Sequence, residues 1–214
     1  MKRISLTTAL QLVFALFFSL ATMVAAAQQP DDIVRDAVKK LTDRIVAERA
    51  ELEKDEKYAQ QVVDEELSEL VDFRRITRSV MGPHFEQATR EQRNNFLQAF
   101  RESLVSTYAT GVTMYEGQGY KVHPLADGDV RGSRARVQME FNTGEGKTLP
   151  IAYTMTLTNG QWKVDNVIVN NLNLGRVFRD QFSQDMQEYN NNIDQVIQNW
   201  SVDVGVEEVK AKQQ

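Results

Sequence analysis

The chain of 214 residues contains no cysteine. That excludes a disulfide framework, a thiolate metal site, a cysteine nucleophile and an anchor acylated on cysteine. It also suits an oxidising compartment, where a cysteine-free chain cannot mispair. Histidine is nearly absent as well: His84 and His123 are the two present, and neither belongs to an H-x-x-x-H or HExxH spacing, so a zinc site has no support. There is no G-x-S-x-G elbow and no glycine loop of the kind that cradles phosphate. Only four prolines occur, and no repeat or low-complexity linker, so a single domain is expected. Basic residues are the minority, 25 against 30 acidic, which argues against nucleic acid as a partner. It argues equally against lasting adhesion to an anionic membrane surface, though not against brief contact, so transient membrane proximity is expected.

The first residues are different in kind. Met1-Lys2-Arg3 gives a short positive start, Ile4 to Val24 carries no charge, and Leu10 to Leu20 is almost wholly apolar. Small residues Ala25-Ala26-Ala27 then precede polar Gln28-Gln29-Pro30. A positive start, an apolar stretch and an A-x-A site are the three parts of a secretory signal peptide. An uncharged run of this length is also long enough to span a bilayer; the alanines, where a peptidase needs small side chains, favour cleavage. The expected organisation is a signal peptide over 1–27, one domain over 28–206 and a charged, loose tail over 207–214. Removing Lys2 and Arg3 leaves the mature chain near a net charge of −7.

The mature part reads as helices, then strands, then a helix, the order of an α+β domain. A first helix is predicted from Asp31 or Asp32, with Ile33, Val34, Ala37, Val38, Leu41, Ile45 and Val46 as its apolar stripe. A second is predicted over Lys57–Val71 and a short third over Phe73–Val80, stopped by Met81-Gly82-Pro83. Thr89 and Gln92 form a capping box, opening a helix with Phe96, Phe100, Leu104 and Tyr108 four residues apart and ending near Gly111. The period then changes from 3.6 to 2. Ala135, Val137, Met139 and Phe141 alternate with polar residues, as do Leu149, Ile151, Tyr153, Met155 and Leu157 with their neighbours, each pattern marking a half-buried strand. Asn159-Gly160 predicts a tight hairpin into Trp162–Val169, and Tyr120–His123 supplies a shorter strand. The sum is a four-stranded antiparallel meander. In its last strand the apolar set shifts from Trp162 and Val164 to Val167 and Val169, which predicts a bulge that bends the sheet. One closing helix is expected from Leu174, capped by Asn173, with a stripe from Phe178 to Trp200.

Residues able to do chemistry are sparse. Pairs such as Glu65-Glu66 and Asp55-Glu56 read as solvated helix faces. Arg74, Arg75 and Arg78 form one local basic cluster, read either as a solvated face or as a contact for an anionic headgroup or partner. Large apolar side chains face one side of the sheet from both long helices, and pattern alone does not separate a filled core from a lined cavity.

The residues themselves carry a resemblance. Val71-Asp72-Phe73-Arg74-Arg75-Ile76, Val80-Met81-Gly82, Ala88-Thr89-Arg90-Glu91-Gln92, Phe96, Phe100 and Leu104-Val105-Ser106-Thr107-Tyr108-Ala109 form one spaced block. Trp162 to Asn170, Asn173-Leu174 and Arg179-Asp180-Gln181-Phe182 form another. Both resemble the toluene-tolerance family, the MlaC-type periplasmic phospholipid carriers, over roughly Asp32 to Tyr189. The chain departs from many members at Asn166, where they carry Asp, at Asn170-Asn171, where they carry Glu-Gly, and at Phe178, where they carry Tyr.

The resemblance implies helices wrapped around a bent antiparallel sheet related to the NTF2-like cone, enclosing an apolar pocket for acyl chains with the headgroup near its mouth. It implies a periplasmic carrier, not an enzyme, with phospholipid as cargo and no cofactor. It further implies transfer between an outer-membrane lipoprotein–porin complex and an inner-membrane ABC transporter with its substrate-binding ring, maintaining outer-membrane lipid asymmetry. The carrier is expected to be a monomer. Facing direction predicts the lipid-binding residues: Leu104 and Tyr108 on the helix, Tyr120, Val137, Met139, Ile151, Tyr153, Met155, Val164 and Val167 on the sheet, and Phe178 and Phe182 closing the mouth. Two alternatives are an NTF2-like small-molecule enzyme, for which Asp165 is the nearest strand acid, and a periplasmic adaptor with a solid core. The alternation puts Asp165 on the face of Lys163, predicting a surface position.

Overall fold

A computed structural model of the chain describes residues 28–113, 115–143 and 146–202. The predicted signal peptide and the tail over 207–214 lie outside the described residues, as does part of the turn between Thr143 and Gly146.

Helix α1 spans Pro30–Ala47, with proline at its first position and Asp31 and Asp32 in the first turn, where the helix dipole favours negative charge. A one-residue break at Glu48 leads into α2 (Arg49–Lys54). Asp55 then caps α3 (Glu56–Leu70), its carboxylate accepting from the amides of Lys57 and Tyr58. Asp72 does the same for α4 (Phe73–Met81), which stops at Gly82 with φ +54°. After the single turn α5 (His84–Gln87) comes the 24-residue α6 (Arg90–Thr113). The capping box predicted for α6 forms reciprocally: Gln92 N–H donates to Thr89 Oγ1 at 3.1 Å and Thr89 N–H to Gln92 Oε1 at 3.0 Å.

The strands are β1 (Tyr120–Val122), β2 (Val130–Arg131), β3 (Arg134–Asn142), β4 (Thr148–Thr158), β5 (Gln161–Val169) and β6 (Leu172–Asn173). They form one antiparallel sheet in the order β1-β3-β4-β5-β6, with β2 also on β3. The predicted four-stranded meander thus gains two two-residue strands too short to leave a period-2 signal. Asn159 and Gly160 both adopt positive φ, 52° and 77°, as a two-residue hairpin requires. The predicted bulge lies where Thr154 pairs with Asn166 but Met155 pairs with Val164, leaving Asp165 as the extra residue.

The expected single closing helix is two: α7 (Leu174–Glu188) and α8 (Ile193–Asn199). Asn190 and Asn191 take left-handed φ values of 53° and 62°, and Asn191 N–H donates back to the Met186 carbonyl at 2.6 Å, ending α7. Asn192 then caps α8. The apolar stripe runs unbroken through this turn, which hides it from periodicity; the asparagine run was its local signal.

Among the described residues three hydrophobic cores form. One gathers α4, α6, α7 and α8 around Phe96, Phe100, Phe182 and Trp200. The rings of Phe96 and Trp200 meet edge to face at 5.0 Å between centroids. A second buries Val137, Met139, Met155 and Trp162 of the sheet beneath Val34 of α1. A third joins α1, α2, α3 and α6 through Ile45, Leu52, Val62 and Ala109. Arg101 of α6 grips Asp64 of α3 with two hydrogen bonds, at 2.6 and 2.7 Å. The helical layer is fastened to the sheet where Asp72 N–H donates to the Val164 carbonyl at 2.8 Å.

Candidate functional site: an apolar cavity beside an arginine-lined basin

The three cores do not merge. Between them lies a cavity of about 280 Å³, walled by α1, α3, α4, α6, α7 and the inward face of β4 and β5. Leu67 packs against both the first and third cores and Val71 against the first and second, and both line the void where those cores fail to meet.

The four-residue stripe of α6 runs directly into it. Phe96 and Phe100 are fully buried, Leu104 is 8% exposed and Tyr108 is 39% exposed. Tyr108 belongs to the cavity wall, and burial nevertheless pushes its phenol above the usual range. Tyr153, opposite on β4, is raised too, by burial first and then by the nearby Tyr108 phenol. Among the described residues its hydroxyl has only the Met139 sulfur as partner, at 4.0 Å. Both phenols are therefore neutral across the physiological range.

Of the twelve residues predicted to line a pocket, Leu104, Tyr108, Ile151, Tyr153, Val164, Val167 and Phe178 stand in the cavity wall. Val137, Met139 and Met155 point to the same sheet face, since Val137 pairs with Tyr153 and Met139 with Ile151. They are sealed instead: α1 lies over β3 and buries all three in the second core, with Tyr120 packed against it. Phe182 is one turn beyond Phe178 on α7 and is fully buried against Phe96, His84 and Trp200, so it closes no mouth. Sequence reasoning missed the wall supplied by α1 and α3: Ala37, Val38, Leu41, Leu67 and Leu70. Their apolar periodicity was visible, but which void they face depends on how the helices cross.

Among the described residues two charged groups, Glu66 and Asp165, reach the cavity. Glu66 on α3, 8% exposed, is paired from α1 by Lys40 at 3.0 Å and Arg44 at 3.2 Å. Asp165 is the other, and its predicted surface position is wrong. Its side chain is 5% exposed although it keeps to the face of Lys163: Thr156, the cross-strand partner of Lys163, and Arg134, the partner of Thr156, close over it there. Oδ2 accepts from Thr156 Oγ1 at 2.6 Å and from Arg134 Nη1 at 2.8 Å, while Arg75 Nε stands 3.9 Å away. Oδ1 is buried without a partner among the described residues.

On the far side of Asp165 is a second, wider concavity of about 610 Å³. Arg75 and Arg78 of α4, Arg134 of β3, and Arg176 and Arg179 of α7 line it, against Asp165 and Asp180. Ile76, Asp165, Asn166 and Gly175 belong to both walls and form the partition. Among the described residues no three His, Cys, Asp or Glu side chains gather as metal ligands would. No described helix is long and apolar enough to cross a membrane.

The chain matches the family model of the MlaC protein over residues 35–202. It is 34% identical over 203 residues to the toluene tolerance protein ttg2D of Pseudomonas putida, covering 94% of this chain and 91% of that one. It is 25% identical over 161 residues to the intermembrane phospholipid transport system binding protein MlaC of Haemophilus influenzae, covering 73% and 75% respectively. Its fold matches that of a phospholipid-binding protein from Ralstonia solanacearum, solved in complex with a phospholipid, with a TM-score of 0.72. That match covers 86% of this chain and 97% of the other at 21% identity, a likeness of fold.

Proposed function

The chain belongs to the MlaC family, and from that premise we propose that it is a periplasmic phospholipid carrier whose cavity holds acyl chain. The observation that carries the reading is the cavity itself, walled almost wholly by apolar side chains from five helices and two strands. A solid-core adaptor has no use for such a void, which forfeits packing contacts along its whole lining.

The energetics suit a carrier. A phospholipid with about 30 methylenes gains about 24 kcal/mol by keeping them from water, at roughly 0.8 kcal/mol each. A shuttle has no need to supply that as net affinity. It needs a lining about as apolar as the bilayer, so that loading and unloading both run near balance. No bond of the cargo is made or broken, and the carrier is not an enzyme.

At about 280 Å³ the cavity is just smaller than ordinary ligand pockets, roughly 300–1,000 Å³. A two-chain cargo needs more room. The yielding wall is α1 with α3, whose apolar lining residues are only half-buried and which are tied to each other by Lys40–Glu66 and Arg44–Glu65. We assign the partners that the family implies: an outer-membrane lipoprotein–porin complex and an inner-membrane ABC transporter with its substrate-binding ring. Cleavage of the leader after about Ala27 releases the carrier to cross between them.

Native mass spectrometry of the purified protein, followed by lipid extraction, tests the reading. Co-purifying phospholipid is expected at near-stoichiometric occupancy; a protein that is empty and stays empty on exposure to vesicles overturns it.

A further inference from the structure

We propose that the arginine-lined basin is the seat of the cargo's phosphodiester. The inference rests on the carrier reading and extends it from the tails to the head.

The first ground is electrostatic. The protein is acidic overall, yet five arginines against two aspartates converge on one concave surface. Such a concentration works against the charge balance of the rest of the chain, and a concave basic surface focuses an anion. The second is the donor inventory, since each guanidinium offers five N–H donors in a fork that fits phosphate oxygens. Among the described residues, side-chain hydrogen bonds within the protein engage Nη1 of Arg134, Nη2 of Arg78, and Nε and Nη2 of Arg179. Arg75 and Arg176 make ion pairs only at 3.6 Å or beyond. Most donors in the basin are therefore uncommitted.

The third ground is position. Basin and cavity share Ile76, Asp165, Asn166 and Gly175 as one partition. A molecule with its tail in the cavity and its polar end at that partition meets arginine first. The 15-residue α7 begins there as well, adding the positive end of its dipole. Asp165 acts as a positioning residue, holding Arg134 at the rim from a buried carboxylate. The chemistry recognised is a phosphate monoanion, which a lipid head or free phosphate could both present; the shared wall with the cavity selects the lipid.

The test uses the whole mature protein and the double variant Arg75→Gln/Arg176→Gln, two exposed side chains whose loss leaves the fold intact. Three probes are compared: phosphatidylglycerol vesicles, dodecanol as an uncharged tail, and inorganic phosphate alone. The variant is expected to take up phosphatidylglycerol about tenfold less tightly, the scale of one or two lost charge-assisted bonds, while binding dodecanol as the parent does. Inorganic phosphate is expected to bind the empty parent weakly and to be excluded once lipid is loaded. Equal phosphatidylglycerol uptake by variant and parent overturns the headgroup assignment and leaves the cavity reading standing, whether or not the variant is slowed in exchange with a membrane complex. Phosphate binding as strongly to the lipid-loaded protein as to the empty one also overturns it, making the basin a separate anion site. A parent that takes up neither phosphatidylglycerol nor dodecanol removes the carrier reading, and the headgroup assignment falls with it.

Discussion

The amide of Gly175 donates to Asn166 Oδ1 across 3.0 Å, and that same oxygen lies 2.6 Å from where a Cβ on residue 175 would stand. The bond lies at the rim that cavity and basin share, joining the bulged middle of β5 to the first turn of α7. It is possible only because residue 175 has no side chain.

Gly175→Ala is therefore expected to expel the Asn166 side chain and leave a half-buried amide unpaired. The loss, about 1–3 kcal/mol for the orphaned donor, outweighs the gain of up to about 1 kcal/mol from alanine's helix propensity. Urea denaturation checks the sign: a net loss of about 1 kcal/mol is expected, and an alanine variant at least as stable as the parent would refute the steric argument.

Val167→Trp places an indole in the cavity. Lipid occupancy, read by native mass spectrometry, is expected to fall severalfold with little change in melting temperature. Val137→Trp is the control on the same sheet face. Val137 is 1% exposed beneath α1, so the larger ring has no space and is expected to cost about 1–3 kcal/mol by overpacking. Similar behaviour of the two variants would contradict the boundary drawn here between cavity and core.

Asp165→Ala removes the acceptor that holds Arg134 and Thr156. Arg134 is half exposed and can turn to water, so the expected loss is about 1–2 kcal/mol, below the 3–5 kcal/mol of a wholly buried pair. A double-mutant cycle with Arg134→Ala should give a coupling energy above about 0.5 kcal/mol; strict additivity would show that the pair is not coupled.

The phenols of Tyr108 and Tyr153 are both raised by burial. For a group whose folded pKa is raised, the folded state holds the proton longer. The contribution to stability is present in full below the unfolded phenol's pKa of about 10 and is lost as pH rises from there through the folded values. Ultraviolet titration of the phenolate band should show late-ionising tyrosines that disappear in Tyr108→Phe/Tyr153→Phe, with alkaline unfolding of the double variant shifted upward. Ionisation of both groups at the free-tyrosine pKa would place them in bulk solvent.

Local chemistry wrote much of this fold into the sequence. The Thr89–Gln92 capping box, the Asn159-Gly160 hairpin, the Gly82 stop and the bulge in the middle of β5 are each set by two to four neighbouring residues. The family blocks were legible for the same reason, as residue types at fixed spacing.

What failed to show was whatever depends on elements distant in sequence. Val137, Met139 and Tyr153 present the same alternation and the same sheet face, yet α1 covers the first two and leaves the third at the void. Asp165 follows the polar phase of its strand, yet Thr156 and Arg134, brought to that same face from β4 and β3, bury it. The arginines of the basin come from α4, β3 and α7, up to about a hundred residues apart, and only their convergence makes a charged surface. Periodicity decides which face of an element is apolar. Whether that face meets another side chain or an empty space is decided by how helices and sheet cross, because burial is a property of the assembled volume and not of the strand or helix that contributes to it.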